Sequence, residues 1–181
     1  MKDFFSAFSS DFFWPLATLL LPGMVALTPG CVAVIWQMDQ VRGFVQTNPT
    51  ETWVIFGVLA TFSGLVLEDI GARFELWIFN LTFKSTLQAS WDDWYLYLKA
   101  EKDFAPVAHK YIHTMLLRLK FELGCVAASP FALLGIWFWP VSFTTRFIAG
   151  IVSVVLSAYL LFEAVDGVQT LAEIRKSVFG R

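Results

Sequence analysis

The sequence predicts an all-α integral membrane protein, with four transmembrane helices and a small cytoplasmic helical extension. Three observations carry that prediction. Of 181 residues, 57% are apolar, 17% aromatic and only 15% charged, whereas soluble domains carry about a quarter charged residues. The apolar residues gather in four long blocks, at about 13–36, 53–72, 121–141 and 147–165, each of a length suited to a membrane helix. The charges gather between the second and third blocks and after the fourth. A chain of this length makes a single domain, 1–181, with most of it committed to spans.

In the first span Pro22-Gly23-Met24-Val25-Ala26 is echoed seven residues later by Pro29-Gly30-Cys31-Val32-Ala33, and Pro15 extends the series one step earlier. Prolines seven apart share nearly one helix face, and each removes a backbone donor, so this span is expected to be kinked or partly broken. Met1-Lys2-Asp3-Phe4-Phe5 has no basic leader or small-residue cleavage site, so the first apolar run is read as a retained span. A polar connection follows, from Gln37 to Glu51, where Asp39, Arg42, Asn48 and Pro49 suggest turn chemistry.

The second span places Gly57, Ala60, Thr61 and Gly64 at helical spacing, the small surfaces that helices need to approach closely in lipid. It ends abruptly. From Trp53 to Leu67 no residue is charged, about 22 Å of helix against a hydrocarbon core of roughly 30 Å. Glu68 and Asp69 therefore fall at the membrane's edge, where carboxylates are costly without a partner. Asp69 and Arg73 are spaced to pair along the helix, acid first.

Residues 73–120 form the cytoplasmic loop. Ser90-Trp91-Asp92-Asp93 has capping-box form and predicts a new helix carrying Trp91, Trp94 and Tyr95. These aromatics are candidate contacts for a protein partner. Pro106 suits the first turn of the helix that runs through His109, His113 and Arg118 into the third span. That span has Glu122 at its entry, Pro130 inside and Trp137-Phe138-Trp139 as an interfacial belt at its exit. After a tight connection at Ser142–Arg146, the fourth span repeats small residues at Ala149, Ser153 and Ser157 and finishes at Glu163 and Asp166, followed by the tail 166–181.

Basic residues set the expected orientation. Lys2, Arg73, Lys84, Lys99, Lys102, Lys110, Arg118, Lys120, Arg175, Lys176 and Arg181 fall on one side, and only Arg42 and Arg146 on the other. The positive-inside rule then makes both termini and the long loop cytoplasmic, as in a bacterial-type inner (plasma) membrane protein. A net charge of −2 argues against a nucleic-acid partner, for want of a basic surface.

This topology brings Glu68, Asp69, Arg73, Glu122, Glu163 and Asp166 to one depth, as a candidate ion, proton or polar cluster. Some of these carboxylates are expected to solvate the membrane boundary and others to pair with Arg73, Arg118 or Lys120, fixing the helix register; with Asp69 held by Arg73, Glu68, with Glu122 or Glu163, is the acid left over for an ion, a proton or a basic partner. His109 and His113, at i and i+4, are weak candidates for a metal site. Glu68-Asp69-x-x-x-Arg73 with these histidines resembles the membrane proteases that trim prenylated proteins, whose motif has adjacent glutamates followed by arginine. Here Asp69 replaces the second glutamate, and Phe104 and His109 are one residue too far apart for that family's pattern. The resemblance implies an intramembrane metal-dependent hydrolase using Glu68 and His109 or His113. No phosphate-binding glycine loop, Cys-x-x-Cys or nucleophile elbow occurs, and no cofactor is expected. The composition favours a non-enzymatic function: an oligomeric channel-like effector, or a membrane sensor or anchor for a cytoplasmic partner. A stress or phage-defence system that perturbs or monitors the membrane is a setting that suits such a protein.

Overall fold

A computed structural model describes residues 10–83 and 106–179. Five helices cover almost all of them: α1 (Ser10–Gln37), α2 (Asp39–Thr47), α3 (Pro49–Phe83), α4 (Pro106–Trp137) and α5 (Phe143–Phe179). There is no strand among the described residues. Four of the helices, all but α2, are long and apolar enough to cross a membrane. At 35, 32 and 37 residues, helices α3, α4 and α5 each exceed the roughly 20 residues that a crossing requires.

The predicted connection after the first span is not an irregular turn. Residues 39–47 form a helix, because Val41, Phe44 and Val45 supply apolar positions at i, i+3 and i+4 while Asp39, Gln40, Arg42 and Gln46 hold the other side. Asn48 ends it, its N–H donating to Phe44 O at 2.8 Å, and Pro49 opens α3 without losing a bond that its N–H would have made there.

α1 is unbroken from Ser10 to Gln37, where its prolines predicted a helix kinked or partly broken. Pro22 and Pro29 serve as packing surfaces. Pro22 is fully buried and lies where a side chain at Gly124 would have to go, 3.1 Å from the position of a Cβ there. Pro29 does the same at Gly135, at 2.7 Å. Glycine also sets the approach of α1 to α3. A Cβ at Gly23 would fall 1.8 Å from Ala60 O, and one at Gly64 would fall 1.8 Å from Leu19 O. α3 and α4 meet at Gly71 and Gly124, where a Cβ at Gly71 would fall 3.3 Å from Gly124 N. The sequence spacing of small residues thus becomes three backbone-to-backbone interfaces among α1, α3 and α4. In lipid, where apolar surface gains nothing by leaving a membrane for another apolar phase, such dispersion contacts are what hold helices together.

These contacts fix the directions of the chain. Leu19 faces Gly64 and Gly23 faces Ala60, so α1 and α3 are antiparallel; α4 runs with α1 and against α3. α5 returns beside α4, where Leu119 meets Gly167 at 3.6 Å. Two buried clusters result. Ala26, Leu67, Ala127 and Ala128 lie in the centre of the α1–α3–α4 contact. Ile78, Phe79, Ile112, Leu119, Leu123, Val168 and Leu171 pack α3, α4 and α5 at the end where residues 84–105 connect. That end is called the loop end below, and the end holding α2 and Val141 is the hairpin end.

Candidate functional site

The charges that interrupt the spans meet at the loop end. Glu68, Asp69 and Arg73 come from α3, Arg118, Lys120 and Glu122 from α4, and Glu163 and Asp166 from α5. The antiparallel packing makes two bridges between helices. Lys120 Nζ donates to Glu68 Oε1 at 2.6 Å, joining α4 to α3. Arg118 Nη2 donates to Glu163 Oε2, joining α4 to α5, while its Nε donates to Glu122 Oε1 at 2.6 Å. One guanidinium therefore spans two carboxylates, using the planar fork that a lysine lacks.

Burial separates the members. Glu122 is only 5% exposed, and a buried carboxylate without its cation is strongly destabilising. Its pairing with Arg118 is set locally by the i, i+4 spacing, although an arginine preceding its acid is the weaker helical order. Glu68 and Glu163 are half-buried. Asp69 and Arg73 pair at 3.2 Å on the outside of α3, both largely exposed, a geometry worth little in water.

The expectation of a free Glu68 is corrected by this geometry. Antiparallel packing delivers Lys120 to Glu68, and Arg118 occupies both Glu122 and Glu163. Asp166 is exposed on α5. The five carboxylates stand against three cations, so this set retains an acidic excess, but the acids alternate with bases and do not form a ring within one chain. His113 is exposed. His109 lies in α4, and its side chain, like Trp91, Trp94 and Tyr95, falls outside the described residues. Among the described residues no group of three or more His, Cys, Asp and Glu is arranged to hold a metal ion.

The hairpin end uses its cations differently. Arg42 Nη2 donates to Trp36 O at 2.6 Å, with its guanidinium 5.6 Å from the Trp36 ring centre. Arg146 Nη1 donates to Trp137 O at 3.1 Å. Both arginines thus engage carbonyls in the last turn of a helix, α1 and α4 respectively, where the helix dipole favours a positive charge. Gln37 Nε2 donates to Phe138 O at 2.8 Å and Trp139 Nε1 to Pro29 O at 2.9 Å, so the connection between α4 and α5 is fastened to α1. Sequence reasoning missed α2 and what it encloses; the signal was the Val41-x-x-Phe44-Val45 spacing, obscured by the turn-forming residues around it. Comparisons with protein-family models, curated proteins and solved structures found no match.

Proposed function

We propose that the chain is a non-enzymatic, multi-pass protein of a bacterial-type inner membrane. It self-associates through the membrane half of α5 and presents its charged loop end to a soluble cytoplasmic partner, as an anchor or sensor. The observation that carries this reading is the state of α5. Its residues Phe143, Phe147, Ile151, Val155 and Phe162 are all exposed, while α1, α3 and α4 close on one another.

The arginines at the hairpin end support the orientation. Arg42 and Arg146 are the two basic residues that run against the positive-inside rule, and both are engaged by helix-end carbonyls. The remaining basic residues belong to the loop end and termini, which the rule assigns to the cytoplasm. Against a pore through a single chain stand the glycine contacts of α1, α3 and α4, which leave no room for a water path at those levels.

A second reading, a channel-like effector formed between copies, draws support from the acidic excess at the loop end, which would attract cations. The hydrolase reading gains no observation, since Glu68 is held by Lys120 and His113 is exposed. Reconstitution separates the readings. The anchor reading predicts a defined oligomer in nanodiscs and liposomes no leakier to potassium than empty ones. Potassium flux that falls severalfold with Glu68→Gln and Asp69→Asn would replace it by the channel.

A further inference from the structure

At the hairpin end α1, α2, α3 and the last turns of α4 surround an open cleft of about 1070 Å³. Ile35, Leu59 and Leu134 are among its walls, and Val41, Phe44 and Val45 line it from α2, the helix that joins the ends of α1 and α3. Its volume stands at the upper limit of small-molecule sites, roughly 300–1,000 Å³, which orient their ligands with a few convergent polar groups. This cleft has almost none. Thr28 and Thr52 line it, but their hydroxyls donate to Met24 O at 2.6 Å and Asn48 O at 2.8 Å within the backbone. Ser63, Cys31 and the indole N–H of Trp53 are the other weakly polar groups in the wall, and no charged side chain contributes. The chemistry suits long aliphatic chains.

The rim supplies what a lipid's other end requires. α2 is amphipathic, with Val41, Phe44 and Val45 on the cleft and Arg42 at the border between its apolar and polar sides, the pattern of a helix lying in the interface. Arg42 follows the cleft-lining Val41 directly and is stacked on Trp36, an arginine–tryptophan pair at headgroup level. Its Nη2 is given to Trp36 O, but the contact of Nη1 with Asp39 is long, at 3.6 Å, which leaves the other N–H groups of the guanidinium able to meet a phosphate. Gly30 contributes by lacking a side chain: it lines the cleft, and a Cβ there would meet nothing within 4 Å.

We propose that this cleft binds one anionic phospholipid, with its acyl chains between α1, α3 and α4 and its phosphate at Arg42. The proposal rests on the membrane placement given above. The test uses the full chain. Carbonate-washed membranes are first assayed for the protein; release there would end both the membrane reading and the lipid site. The retained protein is purified, stripped of lipid and incubated with equal amounts of phosphatidylglycerol and phosphatidylethanolamine, and bound lipid is counted by native mass spectrometry.

The wild type is expected to hold one phosphatidylglycerol per chain. Gly30→Trp fills the cleft and lowers occupancy at least tenfold. Gly57→Trp, at another glycine with open space around its Cβ but outside the cleft, retains the wild-type level and serves as the control for folding. Arg42→Gln keeps bound lipid but loses the preference for phosphatidylglycerol severalfold. A wild type that holds no lipid, or equal retention by Gly30→Trp, overturns the site. It is also overturned if Gly30→Trp instead dissociates an oligomer, because the cleft would then belong to a second copy.

Discussion

Helices α4 and α5 are neighbours of similar length, and their residues have opposite fates. In the most apolar stretch of α4 half of the residues are buried; in that of α5 only 6% are. Hydrophobicity does not distinguish them, since α5 is the more apolar of the two, with a mean hydropathy of 2.1 against 1.5. What distinguishes them is glycine meeting backbone. Gly124 and Gly135 receive Pro22 and Pro29 of α1, whereas Gly150 of α5 has nothing within reach of its Cβ. In a membrane, burial follows shape, and an apolar helix without a fitted partner stays exposed to lipid or waits for another chain.

The comparison can be broken most sharply at the glycines. Gly64→Leu forces a side chain into Leu19 O and is expected to cost about 3 kcal/mol or more, while Gly150→Leu stays within about 0.5 kcal/mol. Denaturant titration of helicity in detergent compares them, and equal losses would refute the division into a fitted core and a free helix.

Next in size is the tether between the two regions. Arg118→Met frees Glu163 and leaves Glu122 buried without its cation, at an expected cost of about 3 kcal/mol, the lower end for a broken buried pair because Arg118 is itself exposed. Adding Glu122→Leu to it should recover most of that loss, because the second change removes the stranded charge. If the double variant is no more stable than the single one, Glu122 is not what Arg118 supports.

Smaller effects map the edges. Trp139→Phe removes the bond to Pro29 O that fastens the α4–α5 connection to α1, for about 1 kcal/mol. Lys120→Met should cost less than about 1 kcal/mol, since Glu68 remains half-exposed and finds water. The same titration ranks all of these variants, and a larger effect of Lys120 than of Arg118 would invert the ordering by burial.

The four long helices were legible in the sequence because length and uninterrupted hydropathy are sufficient to find them. Asp69–Arg73 was legible because both residues lie on one helix at i, i+4. Arg118 and Lys120 were legible as partners for these carboxylates, but the pairs Glu68–Lys120 and Arg118–Glu163 were not, since they join residues 52 and 45 positions apart and depend on the relative height of antiparallel helices. What the prolines pack against was hidden for a related reason. Their local effect is to bend a helix, and their use here, as ridges against Gly124 and Gly135, exists only once α4 is in place. Helix α2 was hidden by Asn48 and Pro49, which end it and begin α3 and so read as a loop.

The central claim, that the membrane half of α5 is the surface through which copies associate, is tested most directly by crosslinking in native membranes. Single cysteines are placed in turn at positions 143–162 in a Cys31→Ala, Cys125→Ala background. The account predicts disulfide-linked dimers that recur every three to four positions, strongest on the exposed Phe147–Ile151–Val155 side. Dimers absent at every position, at a concentration where the chain is otherwise well expressed, would contradict it.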